Sequence, residues 1–264
     1  MSGLPFFSPM ADHTPASPPA PAPSPAAAPA PGASGRGEVT IQEPTRLQQA
    51  VARRMAESKA TAPDFSVSLA CDMEAVVALR TQLKSAAGDE IVPSYNDFAI
   101  KAVAVALRAF PRANAAYRDG RYELYSRVNV GIAVAAQDAL VVPVVQDADR
   151  KPLSAIAREA RTLAERARSG AITPPELAAG TFTISNVGMY GARRYEPILH
   201  PPQAAILGVG ELAPRAVVRD GEITARHVID LTLVCDHRIL YGAEAAGFLN
   251  AIRDELQDPL KLAL

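Results

Sequence analysis

The sequence carries almost no net charge and almost no thiol. Its formal net charge is -1 over 264 residues, so there is no field of one sign to attract nucleic acid or an anionic membrane surface. Only two cysteines occur, Cys71 and Cys235. Each lies in an apolar, strand-like run, and the two form no spaced set of metal ligands. Buried inert thiols are therefore expected, with no disulfide and no metal. No apolar run approaches the roughly 20 residues that span a bilayer. Met1 to Met10 contains apolar residues but no basic stretch ahead of them, which argues against a secretory signal and for a cytoplasmic address. No Gly-x-Ser-x-Gly elbow is present, which disfavours a Ser-His-Asp hydrolase. There is no internal repeat.

What is present is a globular composition, 48% hydrophobic, long enough for one large domain or two small ones. Residues 1–38 differ in kind. Pro15, Pro18, Pro19, Pro21, Pro23, Pro25, Pro29 and Pro31 alternate with Ala and Ser. Proline denies this segment helix and ladder hydrogen bonds, and Ala and Ser offer little to bury. A disordered, semi-extended linker is expected, either an inert tail or a tether to another module. The folded domain is expected over 39–264.

Thr45 is placed to cap a helix from Arg46 to about Lys59, with Leu47, Ala50, Val51 and Met55 at helical spacing. Phe65 to Cys71 alternates as a strand. Helices are predicted over 73–83, 96–110 and 153–169, and strands over 122–125, 128–136, 181–186, 204–211 and 216–219. The run 140–145 reads as one buried strand broken by Pro143. Asp220-Gly221 signals a hairpin turn before a strand over 223–227. Helices and strands mix without a regular βαβ repeat, so an α+β fold is expected, with two layers and one mixed sheet.

The stretch Leu231-Thr-Leu-Val-Cys-Asp-His-Arg-Ile-Leu-Tyr-Gly-Ala243 carries the chemistry. Ile229, Leu231, Leu233 and Cys235 alternate with their neighbours as a strand, and the apolar run stops at Asp236-His237-Arg238. Ala245, Ala246, Phe248, Leu249 and Ile252 then give a helical stripe up to Asp258-Pro259. His237 thus sits where a strand leaves the core, between an acid and a base. That is a place for a general base, held by rigid elements and open to substrate; it is also a place where a histidine merely packs.

Six stretches carry a resemblance. They are Arg53-Arg-Met-Ala-Glu-Ser-Lys59, Asn96-Asp-Phe-Ala-Ile-Lys-Ala102, Val128-Asn-Val-Gly-Ile-Ala-Val134, Gly180-Thr-Phe-Thr-Ile-Ser-Asn-Val-Gly188, Pro201-Pro-Gln-Ala-Ala-Ile-Leu-Gly208 and Asp236-His-Arg238. In this order, and over essentially all of 39–264, the chain resembles the catalytic domain of the dihydrolipoamide acyltransferases of 2-oxo-acid dehydrogenase complexes. That domain is related to chloramphenicol acetyltransferase. The resemblance implies acyl transfer between coenzyme A and a dihydrolipoamide carried on another chain or domain, in a homotrimer, with no metal. It implies His237 as the base and Ser185 as the oxyanion donor, facing each other across a subunit boundary, with Asn186 and Arg238 in support. The alternative for Ser185 is a strand-end hydroxyl satisfying the turn over 186–188. The family's C-terminal apolar hook, which joins trimers into cubic or dodecahedral cores, corresponds here to Leu262 and Leu264. The other reading has these leucines folding back onto their own domain.

The chain departs from the family's His-x-x-x-Asp-Gly, since His237 is followed by Tyr241 and Gly242. By resemblance the missing aspartate pairs with an early arginine and holds the histidine loop. The arginine's position holds Gln48, so a neutral Tyr241–Gln48 pair is expected, unless Arg46 or Arg53 supplies the contact. Asp64 and Ala139 are further departures. The 264 residues contain no lipoyl domain, so a lipoyl group is expected from elsewhere. Three functions remain open at this stage: an active acyltransferase, a catalytically impaired core subunit, and a small-molecule acetyltransferase using coenzyme A.

Overall fold

The computed structural model describes Gly37, residues 39–136 and residues 140–263. The expected linker over 1–38 therefore lies, apart from Gly37, outside the described residues, as do Ala139 and Leu264. The chain divides into two units, Met1–Glu43 and Pro44–Leu264, and every element below belongs to the second. Its helices are α1 (Arg46–Thr61), α2 (Glu74–Ala86), α3 (Tyr95–Ala109), α4 (Leu153–Arg168), α5 (Gly242–Gln257) and α6 (Leu260–Ala263). Its strands are β1 (Asp64–Asp72), β2 (Ala115–Arg118), β3 (Arg121–Leu124), β4 (Val130–Ile132), β5 (Val134–Ala135), β6 (Leu140–Val141), β7 (Val144–Val145), β8 (Phe182–Asn186), β9 (Ala205–Val209), β10 (Ala213–Arg219) and β11 (Glu222–Asp236).

The helix starts follow from short polar side chains. Thr45 Oγ1 accepts from the Gln48 N–H at 3.2 Å, and Gln48 Oε1 accepts from the Thr45 N–H at 2.9 Å. This reciprocal cap satisfies two donors that the first turn of α1 would leave orphaned. Ser94 and Asp97 repeat the device at α3. Burial raises the pKa of the Asp97 carboxyl, against the pull of its hydrogen bonds from Ser94.

One mixed sheet runs in the order β1-β11-β9-β8-β4-β7, with β10 also paired to β11. The β4–β8 and β8–β9 pairs are parallel and the others antiparallel. The fold is α+β, as expected. From Val228 to Asp236 every residue of β11 is buried, because both faces of the sheet are covered there. Leu231, Leu233 and Cys235 face the main core with Val103, Phe248 and Ile252. Val234 and its cross-strand partner Ile206 point the other way, against Ala62 beyond α1 and Leu199. Phe248 fixes α5 by meeting the Phe182 ring edge-on at 5.7 Å and that of Phe110 at 5.6 Å. Fully burying such a side chain stabilises by roughly 1.5–3 kcal/mol.

Several expectations change. The run 140–145 is two strands: β6 pairs with β5, β7 pairs with β4, and between them the Pro143 carbonyl accepts from the Ile132 N–H at 2.8 Å. Proline has no N–H to continue a ladder, so the chain changes sheet there. The strand at 122–125 is half of a hairpin, β2–β3, closed by Asp119-Gly120 with φ of 48° and 76°. These positive φ values suit the same kind of two-residue turn as Asp220-Gly221, which closes β10–β11 as expected. The C-terminal leucines also differ. Leu262 is 1% exposed and belongs to the main core, because Pro259 ends α5 and the short α6 turns inward against α3 and α4. Leu262 therefore folds back onto its own domain, and the apolar side chain facing outward is Leu260, 64% exposed.

Candidate active site

His237 leaves the sheet at the end of β11. Its N–H donates to the Pro63 carbonyl at 2.9 Å, and the Asp236 carbonyl accepts from Ile239 and Leu240 at 2.9 and 3.0 Å, closing a tight turn. The imidazole is exposed. Its ring is fixed through contacts with Phe65 at 4.7 Å and Tyr241 at 5.5 Å between centroids. Asp236, 3% exposed, aims its carboxylate along the turn. It accepts from the Arg238 N–H at 2.9 Å and from the Arg238 guanidinium at 2.6 to 3.1 Å. That guanidinium also lies 4.5 Å from the centroid of the Tyr117 ring. Arg238 therefore braces the turn.

Ser185 is half-buried near the end of β8. It stands beside Gly208 on β9, and Gly208 stands beside Thr232 on β11. This row lies on the face opposite the main core. Tyr195 crosses the same face. A Cβ on Gly208 would meet the Tyr195 carbonyl oxygen at 3.1 Å and its ring at 3.3 Å, so the glycine makes room for the tyrosine. The Tyr195 hydroxyl is buried and makes no hydrogen bond of ordinary geometry among the described residues. Burial raises the phenol's pKa, and the Ser185 hydroxyl pulls it back down. Asn186 Oδ1 accepts from the Gly188 N–H at 2.9 Å, and Asn186 Nδ2 donates to Asn96 Oδ1 at 3.3 Å. Ser185 and Asn186 open onto a cavity of about 670 Å³ that also takes in Asn96 and Arg161.

The register keeps Ser185 and His237 apart within one chain. Two strand spacings of about 4.8 Å separate Ser185 from Thr232, and five residues at about 3.3 Å each lead on to His237. The separation is roughly 19 Å, too far for one reacting carbonyl to touch both.

Tyr241 does not stand alone. The guanidinium of Arg112, from the turn after α3, lies 5.1 Å from the centroid of its ring and 5.3 Å from that of Tyr122. Arg112 also donates to the Ile239 carbonyl and lies 3.4 Å from Glu244. The Tyr122 hydroxyl donates to the Arg238 carbonyl at 2.9 Å. Sequence reasoning put Gln48, Arg46 or Arg53 opposite Tyr241. The Gln48 amide oxygen is instead engaged at the cap of α1, Arg53 lines a cleft with Arg54, Glu57 and Arg118, and the cation over the Tyr241 ring is Arg112. Asp64 accepts from Lys59 at 2.6 Å. Arg112, Tyr122 and Tyr195 were not singled out from the sequence; no motif marks them, and only the fold brings them to the site.

Both thiols are free and buried, with pKa values pushed up to about 12 by burial first and nearby carboxylates second, so neither serves as a nucleophile. Among the described residues no group of three or more His, Cys, Asp or Glu side chains is placed to hold a metal. No described helix is long and apolar enough to cross a membrane.

Comparison with known proteins now places the chain. The family described as 2-oxoacid dehydrogenases acyltransferase (catalytic domain) matches residues 36–264. The dihydrolipoyllysine-residue acetyltransferase component of the pyruvate dehydrogenase complex of Rickettsia bellii is 36% identical over 229 residues, covering 86% of this chain and 55% of that protein. The chain spans about half the length of the curated relatives it matches first. Among solved structures, the Azotobacter vinelandii dihydrolipoamide acetyltransferase superposes with a TM-score of 0.83 at 31% identity, covering 89% of this chain and 99% of that one. That structure was determined to examine the catalytic roles of a serine, a histidine and an asparagine. The cubic core of a pyruvate dehydrogenase multienzyme complex matches with the same TM-score, identity and coverage. The chain belongs to the family of 2-oxoacid dehydrogenase acyltransferase catalytic domains.

Proposed function

We propose that the chain transfers an acyl group between the thiol of a dihydrolipoamide and coenzyme A, with His237 as general base and Ser185 as oxyanion donor. The observation that carries this reading is a histidine fixed at the exit of a buried strand, its ring packed against Phe65 and Tyr241 and still open to substrate. A thiol with a pKa near 8.5 is mostly protonated at neutral pH. His237 takes its proton as the sulfur attacks the thioester carbonyl. The tetrahedral oxyanion accepts a hydrogen bond from the Ser185 hydroxyl. The intermediate then collapses, and the departing thiolate takes the proton back from the imidazolium. The serine, histidine and asparagine studied in the Azotobacter protein stand at the same separations in sequence as Ser185, His237 and Tyr241, which supports the assignment.

A distance of roughly 19 Å within one chain supports a site shared between copies. Around a three-fold axis, His237 of one subunit meets Ser185 of the next, and three equivalent sites close the ring. Trimers then join into a larger particle through the C-terminal region. Leu260 serves that contact, since Leu262 is committed to its own core. The lipoyl group comes from a lipoyl domain.

The test offers purified protein acetyl-, succinyl- and isobutyryl-coenzyme A with free dihydrolipoamide and follows thioester formation. Turnover with one acyl donor, lost in His237→Ala, is the expected result. Absence of turnover with every donor would remove the enzymatic reading.

A further inference from the structure

The turn bearing His237 is gripped from outside its own strand. Arg112 follows Pro111 in the turn after α3, and its backbone is held firmly. The next residue but one, Asn114, is 2% exposed and donates its side-chain amide to the carbonyls of Tyr125 and Arg127, both at 2.9 Å. From this fixed base the guanidinium reaches the Ile239 carbonyl inside the histidine turn. It lies against two aromatic rings, one on the β2–β3 hairpin and one on the turn itself. The hairpin adds its own hydrogen bond, from the Tyr122 hydroxyl to the Arg238 carbonyl. Burial, and then the hydroxyl of Tyr241, raises the pKa of the Tyr122 phenol. Two elements, the turn after α3 and the β2–β3 hairpin, thus converge on residues 238–241, immediately after the proposed base. In a turn whose family position holds an acidic residue by resemblance, an arginine between two rings is a different way of holding the loop.

We propose that Arg112 is a positioning residue for His237: its guanidinium, held between Tyr122 and Tyr241 and bonded to the Ile239 carbonyl, fixes the turn that aims the imidazole. The planar guanidinium suits this use, since it stacks on aromatic faces and donates in its own plane at once. Lysine does only part of it. The functional half of the proposal rests on the acyltransfer reading above; the structural half does not.

The experiment measures two things on the same assembled samples of wild type, Arg112→Ala, Arg112→Lys, Tyr241→Leu and the double variant Arg112→Ala/Tyr241→Leu. The first is amide hydrogen exchange in peptides covering 236–242. The second is kcat and KM for acyl transfer. In Arg112→Ala the turn amides should exchange faster, and kcat should fall about 10- to 100-fold, the loss expected from a misplaced catalytic group. KM for both substrates should hold. Arg112→Lys should recover part of kcat, and the double variant should be no worse than the poorer single one, because both remove the same stack. Unchanged exchange in the turn overturns the proposal whatever the activity. Unchanged kcat in Arg112→Ala, with His237→Ala inactive, overturns the positioning role alone. Faster exchange in a wild-type background that never turns over leaves the clamp standing and removes the acyltransfer reading. If Arg112→Ala fails to assemble, Arg112→Lys decides: wild-type exchange and kcat there would refute a need for the stacked guanidinium.

Discussion

Replacing Asp236 by asparagine tests whether the residue before the histidine holds its turn. The side chain is 3% exposed, and its two oxygens accept four hydrogen bonds from Arg238, one from the backbone and three from the guanidinium. Asparagine keeps the shape but removes the charge and turns one acceptor into a donor facing another donor. Stranding the partner of a fully buried ion pair costs about 3–5 kcal/mol. Arg238 is not fully buried: its side chain is 31% exposed, so water takes up part of what the carboxylate gives up. A loss of about 2 kcal/mol is therefore expected. The turn should shift as well, and a shift of the base by about 1 Å lowers kcat by up to about 100-fold. Urea unfolding at a fixed protomer concentration reads the first effect, and initial rates with saturating substrates read the second. A midpoint and a kcat both indistinguishable from wild type would refute the idea that this carboxylate organises the site.

The His200 imidazole, half-buried and beside Arg54, has its pKa lowered from 6.5 to about 4 by burial first and Arg54 second. The folded state thus holds it neutral, and the stability it contributes is present above pH 6.5 and lost as pH falls toward about 4. That part of the acid limb should disappear in His200→Gln, and its persistence would assign it to other groups. Tyr195→Phe removes the hydroxyl whose polar neighbour is Ser185; kcat should change about 3- to 10-fold with the fold intact, and an unchanged kcat would make the tyrosine mere packing. Leu262→Ala should cost about 2–5 kcal/mol as a buried truncation. Leu260→Asp should leave stability near wild type while light scattering falls from a large particle to a trimer. A large particle in that variant would clear Leu260 of the assembly contact.

Much of the fold was legible because local chemistry and tertiary packing agree. Thr45 announces α1, and the Asp220-Gly221 turn announces the β10–β11 hairpin. The apolar stripe from Ala245 to Ile252 announces α5. The matched stretch 96–102 turns out to be architectural in part: Asp97 caps α3, and Lys101, its pKa lowered by burial, ties down the carbonyls of Asp149 and Lys151. His237 and Ser185 could be picked out because each ends a strand inside a recognisable motif. Arg112, Tyr122 and Tyr195 could not. The contacts of Arg112 and Tyr122 cross long stretches of chain, and an isolated arginine or tyrosine carries no sign of the ring or carbonyl it will meet. The inward turn of Leu262 was missed for a similar reason, since a proline stop says where a helix ends and nothing about where the next residues fold.

The central claim is that two residues too far apart in one chain complete one site between two chains, and subunit complementation tests it most directly. His237→Ala and Ser185→Ala are prepared separately, then coexpressed in equal amounts so that mixed trimers form. Each variant alone should lose at least about 100-fold in kcat. In the mixture, an intact histidine from one variant meets an intact serine from the other at one contact in four, so about a quarter of wild-type activity should return. Mixed trimers that form and stay as inactive as the separate variants would contradict a shared site.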